Sequence, residues 1–295
     1  MCRFIGYLSR TPVRADWHLV RADHALVHQS HCDCSGERHL DGWGVGYYLG
    51  EAPVVAWSAH PASQDLKFQV ASRSICARAV IAHVRAASVG SNTLTNTHPF
   101  SHGPWLFAHN GTLRPFEPVA ATMIQEIPPA LFARRRGSTD SELIFYWLLA
   151  RMARAGLDVG RPAEDLASLS RVTAAAIREL AERCLEASAE SGEAQSNLQS
   201  GDERRTPQCA ANDETAKFNF MLTDGAVLLA SRSGHSLFWS ERHTWPFDSI
   251  SHANGKPTQA VIVTSEPTDK GKWHEVPEST LVSVSADLKV SLQAL

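Results

Sequence analysis

The chain lacks an excess of basic charge and lacks any run of apolar residues long enough to cross a bilayer. Its 295 residues carry 28 Lys and Arg against 31 Asp and Glu, a formal net charge of −3. A membrane helix needs roughly 18 or more consecutive apolar residues, and nucleic-acid binding usually requires clustered positive charge. We therefore expect no membrane or nucleic-acid partner and a cytoplasmic location.

Cysteine is sparse and scattered along the chain. The six cysteines are Cys2, Cys32, Cys34, Cys76, Cys184 and Cys209. This spacing favours reduced thiols over a disulfide framework. The Cys-x-Cys pair of Cys32 and Cys34 has no second matched pair, so it is a weak zinc signature. A metalloprotein built from these two thiols and some of the fourteen histidines is an alternative that a metal assay would test.

Cys2 directly follows Met1 and begins an apolar segment that predicts a buried strand over 2–8. Removal of Met1 would leave a thiol and a free α-amine on the same residue. The thiolate is the reactive form of cysteine, with a pKa of about 8.5 for a free thiol. An α-amine titrates near ~7.7–8.0 and can accept the thiol proton close to neutral pH. Cys2 is therefore a candidate nucleophile, the alternative being a structural cysteine on an edge strand.

The periodicity of the chain predicts strands at both ends and helices in the middle. Helices are predicted over 13–28, 139–155 and 163–186, and strands over 2–8, 79–85, 105–109, 218–223, 226–231, 260–264 and 280–284. Asp224-Gly225 between two of these strands is a strong hairpin signal. This order favours an α+β fold with antiparallel sheets.

The helix over 139–155 has defined ends. Thr139-Asp140-Ser141-Glu142 fits a capping box, and Gly156 is a suitable stop. Residues from about 187 to 216 consist largely of Ser, Glu, Gln, Gly and Asp, and we expect a disordered insertion there. Apart from this insertion, we expect one domain over 2–295.

Four short polar segments follow Cys2. They are Asp41-Gly42-Trp43-Gly44; Ala82-His83-Val84-Arg85-Ala86-Ala87-Ser88 leading to His98-Pro99-Phe100; His109-Asn110-Gly111; and Ser138-Thr139-Asp140-Ser141-Glu142. Each segment alone is weak, since Asn-Gly is a common turn and an arginine after a strand is usually solvated. Taken together, and in this order after a cysteine at position 2, the four segments are a specific signal for a functional site.

On these motifs the chain resembles the class II glutamine amidotransferases, the N-terminal-nucleophile enzymes that hydrolyse the γ-amide of glutamine. The runs Met-Cys-Arg-Phe, Asp-Gly-Trp-Gly-Val-Gly, Ala-His-Val-Arg-Ala and His-Asn-Gly are similar to the stand-alone branch. That branch includes the γ-glutamyl hydrolase of ergothioneine synthesis and a subunit of a fungal glutathione-degrading complex. The resemblance implies a four-layer αββα sandwich, hydrolysis at a γ-glutamyl bond, and no metal or organic cofactor.

The resemblance also implies a role for each matching residue. Cys2 is the expected nucleophile, and Asn110 and Gly111 are the expected oxyanion donors. Arg85 is expected to clamp the α-carboxylate of the glutamyl group through its planar guanidinium. Asp140 is expected to pair with the α-ammonium.

Four further residues are expected around the substrate. Ser88 is expected to add a hydrogen bond to the carboxylate, and His98 to support the substrate site without acting as the general base. Asp41 and Gly42 are expected to shape the site backbone. The histidines at 83 and 109 are interpreted as core or loop-orienting residues.

Each of these roles has a structural alternative. Arg85 and Asp140 could form an ion pair with each other. Asp140 could serve only as a first-turn charge that the helix dipole stabilises. Asn110-Gly111 could be a plain turn.

The expected substrate class rests on a sequence difference between this chain and the synthase members of the family. Ala86-Ala87-Ser88 stands where those members have an aromatic residue and then a Thr-His pair, which favours a γ-glutamyl peptide or thiol conjugate over free glutamine. We expect a small-molecule γ-glutamyl substrate, and we leave open a separate synthase or peptidase partner. The alternatives are a glutaminase subunit that delivers ammonia to such a partner, a non-glutamyl acylase of the same fold, and a catalytically silent interaction protein.

Overall fold

The computed structural model describes residues 2–87, 91–196, 215–245 and 258–295. The strands are β1 (Arg3–Arg14), β2 (Trp43–Leu49), β3 (Ala52–Ser58), β4 (Cys76–Val84), β5 (Phe100–His102), β6 (Trp105–Thr112), β7 (Lys217–Thr223), β8 (Leu228–Arg232), β9 (Phe238–Arg242), β10 (Ala260–Thr264), β11 (His274–Glu275), β12 (Thr280–Val284) and β13 (Val290–Ala294). The α-helices are α1 (Leu26–His31), α2 (Leu66–Ser74), α3 (Phe116–Glu126), α4 (Pro129–Phe132), α5 (Asp140–Arg154) and α6 (Leu166–Ser196).

The strands form two antiparallel sheets. One sheet has seven strands in the order β11-β9-β10-β1-β4-β2-β3, and the other has six in the order β13-β12-β8-β7-β6-β5. In the first sheet β1 is central, with Arg3 opposite Val84 on β4. In the second sheet β6 lies between the edge strand β5 and β7, with Asn110 opposite Asn219. The two candidate halves of the site therefore lie on different sheets.

Alternation along β1 shows how the layers are built. Phe4 and Leu8 pack between the two sheets, whereas Ile5 and Tyr7 face the helices on the outer side. The inter-sheet core also contains Ile81, Leu106, Ala108, Met221 and Leu228. Leu26 and Phe68 of α1 and α2 cover the seven-stranded sheet, and Phe145, Trp147 and Ile177 of α5 and α6 cover the other. The result is the four-layer αββα sandwich that the resemblance predicts.

The first predicted helix is wrong in its extent. β1 continues to Arg14 because Val13 and Arg14 pair with Ala77 and Cys76 beyond an irregularity in register. Only a π-helical turn at Trp17–Arg21 and the short α1 remain of the helix predicted over 13–28. Pairing with β4 supplies the ladder hydrogen bonds there, so tertiary contacts override the local helical pattern.

The predicted helix over 139–155 is confirmed, with one change at its start. The Thr139 hydroxyl accepts the N–H of Glu142 at 3.2 Å. The Glu142 carboxylate accepts the N–H groups of Arg136 and Gly137, at 2.9 and 2.6 Å. The glutamate therefore ties the preceding loop to the helix, in place of the reciprocal bond of a capping box. Gly156 ends the helix with a φ of +85°.

The later elements follow the predictions closely, except for the end of the long helix. The hairpin of β7 and β8 is confirmed, and Asp224 Oδ1 holds its turn by accepting the N–H groups of Ala226 and Val227. Helix α6 continues to Ser196, ten residues beyond the predicted end at 186, so the first part of the expected 187–216 insertion is helical. Residues 197–214 lie outside the described residues. Within the described ranges, no helix is both long enough and apolar enough to span a membrane.

Candidate active site

Cys2 directly precedes β1 and lies against the backbone that follows β4. Its Sγ is 3.3 Å from the Ala86 oxygen and 3.4 Å from the Ala86 nitrogen. The antiparallel pairing of β1 with β4 brings the start of one strand to the end of the other. Burial raises the pKa of the Cys2 thiol, while the Ala86 backbone contact and the charges of Arg85 and Arg3 oppose the rise. A base is therefore needed to form the thiolate near neutral pH.

Arg85 is buried at the end of β4 and is held on both sides by the Asp41-Gly42 segment. Its N–H donates to the Gly42 carbonyl at 2.9 Å, and its own carbonyl accepts the Asp41 N–H at 3.0 Å. The Asp41 carboxylate accepts the N–H of Ala87 at 2.7 Å. Arg85 Nη1 donates to the Ser91 carbonyl at 3.2 Å. These contacts agree with the expected role of Asp41 and Gly42 in shaping the backbone.

Close backbone approach requires glycine at positions 42 and 111. Gly42 has a φ of +117°, and a Cβ there would lie 2.6 Å from the Ser58 carbonyl oxygen. A Cβ on Gly111 would lie 2.0 Å from the Lys217 carbonyl oxygen and 2.4 Å from the His109 ring. Any other residue would therefore displace the strands that carry the candidate site.

Asn110 and Gly111 lie in the last part of β6. The Asn110 side chain is 1% exposed, and neither its nitrogen nor its oxygen has a hydrogen-bond partner within the described part of the chain. Phe218, opposite Gly111, donates its N–H to Ser233 on the far side of β7. The pair is therefore a non-hydrogen-bonded one, and the Gly111 N–H points away from β7. The Asn110 amide is therefore available to a ligand, and the neighbouring Gly111 N–H is directed away from β7.

Asp140, the first residue of α5, is tied to the end of β6. Its Oδ2 accepts the N–H of Leu113 at 2.8 Å, and its Oδ1 accepts the N–H of Ser141 at 2.8 Å. A carboxylate has about four acceptor positions, so capacity remains for a cation. The helix-start interpretation and the substrate interpretation of Asp140 are therefore compatible.

His109 positions the same region and does so as a neutral side chain. Its Nε2 lies 3.0 Å from the Lys217 carbonyl, which can only accept, so Nε2 carries the proton. Its Nδ1 then accepts from the Ser141 hydroxyl at 2.9 Å. Burial lowers the pKa of His109, although Asp140 and the Lys217 carbonyl oppose this shift. His109 thereby links β6 to the first turn of α5, the orienting role expected from the sequence.

Asn96 joins the two halves of the site, and sequence reasoning missed it. Its Nδ2 donates to the Ser91 carbonyl at 3.0 Å, the same oxygen that Arg85 contacts. Its Oδ1 accepts the N–H of Ser138 at 2.9 Å, two residues before Asp140. Asn96 is 2% exposed. An asparagine in a polar turn carries no distinctive signal, because its partners are set by which loops meet.

A buried charge network behind Cys2 was also missed. Arg3 Nη2 lies 2.6 Å from Asp33, Nε 2.9 Å from Glu266, and Nη1 donates to the Cys2 carbonyl at 2.9 Å. His39 Nε2 lies 3.0 Å from the same Asp33 oxygen. Burial would raise the pKa of Asp33, but a backbone N–H and the charge of Arg3 hold it below its usual value. Arg3 therefore fixes the backbone of the candidate nucleophile.

His98 packs against His83, with ring centroids 4.2 Å apart, and against Phe100 at 4.5 Å. The ring nitrogens of both histidines are buried without hydrogen-bond partners in the described ranges. Burial lowers the pKa of His83 to about 3 and that of His98 well below its ordinary value, so both are neutral. These contacts fit a supporting position for His98, and its contact with substrate stays a prediction. Ser88 lies outside the described residues.

The αββα sandwich, with a cysteine directly before a central strand, is the architecture of N-terminal-nucleophile hydrolases. Comparison with known proteins then gives the family. The sequence matches the family "Glutamine amidotransferases class-II" over residues 20–186, more than half of the chain. The chain belongs to this family.

Two relatives match nearly the whole chain. The probable glutamine amidotransferase DUG3 of Saccharomyces cerevisiae is 26% identical over 308 residues, covering 96% of this chain and 82% of that protein. The gamma-glutamyl-hercynylcysteine sulfoxide hydrolase of Mycolicibacterium smegmatis is 25% identical over 290 residues, covering 96% of each chain. The hydrolase of the same name from Mycobacterium tuberculosis is 33% identical over 117 residues, covering 38% of this chain and 50% of that protein.

Solved structures support the fold. The glutamine aminotransferase class-II domain protein of Silicibacter pomeroyi has a TM-score of 0.58 at 20% identity, covering 99% of both chains. A protein of Pseudomonas aeruginosa described as a predicted glutamine amidotransferase has a TM-score of 0.58 at 23% identity, covering 98% of this chain and 99% of that chain. The likeness extends over the whole sandwich.

Proposed function

We propose that this protein hydrolyses a γ-glutamyl amide bond through a thioester on Cys2. The observation that carries the proposal is the contact of Cys2 Sγ with the backbone of Ala86, 84 residues away and directly after Arg85. A substrate whose α-carboxylate binds the Arg85 guanidinium would lie beside the thiol. A binding module has no need for this pairing of nucleophile and cation.

The first chemical step is attack on the γ-carbonyl. After removal of Met1, the Cys2 α-amine accepts the thiol proton, since burial disfavours the thiolate in the absence of a base. The sulfur–carbon bond forms as the carbonyl π electrons move onto oxygen. The Asn110 amide and the Gly111 N–H are the donors for this oxyanion, and one such donor typically contributes about 10²–10³ in rate.

The second half of the reaction releases the products. Collapse of the tetrahedral species breaks the carbon–nitrogen bond, and the leaving amine takes the proton held by the α-amine. The same α-amine then accepts a proton from water, which attacks the thioester. Glutamate leaves, and the thiol regains its proton.

Arg85 and Asp140 are the groups we propose for the glutamyl zwitterion. The guanidinium can donate two parallel hydrogen bonds to the α-carboxylate. Asp140 keeps acceptor capacity for the α-ammonium beyond its two backbone contacts. A substrate lacking either charge would lose the corresponding contact with Arg85 or with Asp140.

The preferred substrate is a γ-glutamyl peptide or thiol conjugate. The small side chains of Ala86 and Ala87 at the edge of the site favour a bulky leaving group. The names of the two mycobacterial relatives, hydrolases of a γ-glutamyl conjugate, support this choice. The name of the yeast relative supports glutamine as the second candidate.

The test is intact mass before and after exposure to an electrophilic diazo-ketone analogue of glutamine. We expect a starting mass that lacks Met1 and a single adduct at Cys2, absent from Cys2→Ala and retained in Cys76→Ala, a control at another partly buried cysteine. Retained Met1, or no adduct on a processed chain, would contradict the proposal.

A substrate panel then separates the candidates. Glutamine, a γ-glutamyl dipeptide and an α-glutamyl dipeptide are compared by kcat/KM. Preference for the γ-glutamyl dipeptide supports the proposal, and preference for glutamine supports the glutaminase alternative. Turnover of the α-glutamyl dipeptide alone would favour a different acylase.

A further inference from the structure

Three potential metal ligands from separate segments meet on the outer side of the Arg3 network. His24 precedes α1, Cys34 follows α1, and Glu266 follows β10. One ligand atom from each, the histidine nitrogen, the thiol sulfur and a carboxylate oxygen, lie within 4.8 Å of one another. His24 Nε2 is 3.0 Å from Cys34 Sγ, and the Cys34 N–H donates to Glu266 Oε2 at 3.3 Å. The sequence does not place these residues together.

We propose that His24, Cys34 and Glu266 bind a zinc ion, with water as an exchangeable fourth ligand. Bonds of about 2.0–2.3 Å to a tetrahedral ion place neighbouring ligand atoms roughly 3.3–3.7 Å apart. The distance from His24 Nε2 to Cys34 Sγ is 3.0 Å, and no two of the three ligand atoms are more than 4.8 Å apart. The spacing that a tetrahedral ion needs lies between these two values. A set of one thiolate, one imidazole and one carboxylate suits Zn²⁺ better than Mg²⁺ or Ca²⁺, which prefer oxygen ligands.

The ligands are held in place before any ion binds. Arg3 fixes Glu266 through its Oε1 and leaves Oε2 on the side of Cys34. The His24 N–H donates to the Thr268 carbonyl at 2.9 Å, and the Gln29 side chain donates to the His24 carbonyl at 2.8 Å. A contact to the ligand side chain, as Arg3 makes to Glu266, orients a metal ligand and strengthens binding. The two backbone contacts fix the segment that carries His24.

The local charge also favours a dication. Arg3 carries one positive charge, and Asp33 and Glu266 carry one negative charge each, so the network has a net charge of −1. When the ion binds, the Cys34 thiol releases its proton to solvent, and the resulting thiolate coordinates the metal. The thiolate adds a second negative charge to the group. Zn²⁺ then neutralises the group.

Access and space are available at the cluster. Cys34 is exposed, whereas Glu266 is 5% exposed. A cavity of about 260 Å³ lies beside them, with Arg3 and His235 also in its wall. A water ligand can therefore exchange without rearrangement of the fold.

The proposal differs from the metal alternative that Cys-x-Cys suggested. Cys32 Sγ contacts the carbonyl of Asp33 at 3.7 Å and is not a member of the cluster. Only the second thiol of the pair meets His24 and Glu266. Cys32 is therefore a matched control, since it is an exposed cysteine two residues away.

The test is titration with Co²⁺ alone, followed by displacement with Zn²⁺. All proteins carry Cys2→Ala, so the candidate nucleophile contributes no thiolate, and no activity is needed. We expect one equivalent of Co²⁺ with a thiolate-to-cobalt charge-transfer band in the parent and in Cys32→Ala. Cys34→Ala should lose the band and weaken Zn²⁺ binding by at least the ~10–100-fold that loss of a mere supporting group causes. No band in the parent, an unchanged band in Cys34→Ala, or equal loss in Cys32→Ala would overturn the proposal.

A second measurement needs no substitution at the cluster and covers the case of a misfolded variant. The parent is alkylated with iodoacetamide with and without Zn²⁺, and the modified peptides are quantified by mass spectrometry. Protection of Cys34 with continued modification of Cys32 supports the site. Equal modification of Cys34 in both samples overturns it.

Discussion

Asn110 and Asn219 face each other on β6 and β7, and both are buried, yet their amides differ completely in their partners. The Asn219 oxygen accepts the N–H groups of Ser233 and His235 at 2.9 and 3.0 Å, and its nitrogen donates to the His235 carbonyl at 2.8 Å. Neither polar atom of Asn110 has a partner in the part of the chain that the structure describes. One asparagine supports a loop, and the other is available to a ligand.

The same contrast separates larger regions. The three guanidinium nitrogens of Arg3 contact Asp33, Glu266 and the Cys2 carbonyl. An unpaired buried polar group costs about 1–3 kcal/mol. The polar groups behind Cys2 therefore have partners within the fold, whereas the unpaired Asn110 amide on β6 is a cost that ligand binding would offset.

The largest expected effect is on stability, from Arg3→Met. The change leaves Asp33 and Glu266 buried without their cation, and removal of one partner from a buried ion pair typically costs about 3–5 kcal/mol. Urea unfolding at pH 7 measures it. Because the pKa of Asp33 is lowered in the fold, its contribution is present above about pH 4 and is lost as the pH falls further.

The control is the triple variant Arg3→Met, Asp33→Asn, Glu266→Gln. Removal of both negative charges should recover much of the lost stability. A single variant within about 1 kcal/mol of the wild type would show that these groups behave as solvated charges.

The second effect is on catalysis, from Asn110→Ala. We expect a loss of about 10²–10³ in kcat, which is roughly 2.7–4 kcal/mol of barrier, with little change in stability. Asn219→Ala is the matched control and should lose about 1–3 kcal/mol of stability, because it leaves buried backbone groups unpaired. Steady-state kinetics of both variants measures kcat, and urea unfolding measures the free energy of unfolding. The comparison would be contradicted if Asn110→Ala lost mainly stability and Asn219→Ala lost mainly kcat.

The third effect is acid sensitivity from the unpaired histidines. His83 has a pKa of about 3 in the fold, so below about pH 6.5 only the unfolded chain takes up the proton and stability falls. Between pH 7 and pH 5 this histidine alone should account for a loss of about 2 kcal/mol. His83→Leu should reduce the pH dependence of unfolding by that amount. If the pH dependence of the free energy of unfolding were the same in His83→Leu as in the wild type, His83 would be protonated inside the folded protein.

The smallest effect is at the start of α5. Thr139→Ala removes the cap contact to Glu142 and should cost about 1 kcal/mol. Thr139→Ser keeps the hydroxyl and should recover most of this loss. Thermal unfolding of the two variants provides the measurement, and equal destabilisation would point to the lost methyl group.

Much of the fold could be predicted, because its signals are local. The cap and glycine stop of α5, the Asp224-Gly225 hairpin, and the strands at 260–264 and 280–284 all depend on neighbours in sequence. The region around 13–28 could not, because pairing with β4 converts its beginning into strand.

Some residues of the candidate site could likewise be predicted from the sequence, and others could not. Cys2, Arg85, Asn110 and Asp140 could be nominated from motif order, since their residue types are those that the proposed acyl transfer from a zwitterionic γ-glutamyl substrate needs. Asn96 could not be nominated, because both of its partners lie in loops that only the fold brings together.

The sequence by itself determined helix α5, the Asp224-Gly225 hairpin and several strands, because turn, cap and periodicity signals act over a few residues. The four-layer class of fold and the residue types of the candidate site came from the resemblance of its motifs to a known family. Only the tertiary structure decided which polar groups have partners. Asn110 and Asn219 are chemically identical, and their difference arises because the loop at 233–236 crosses beside β7. Partner choice depends on strand register and loop packing, and these are properties of the whole chain.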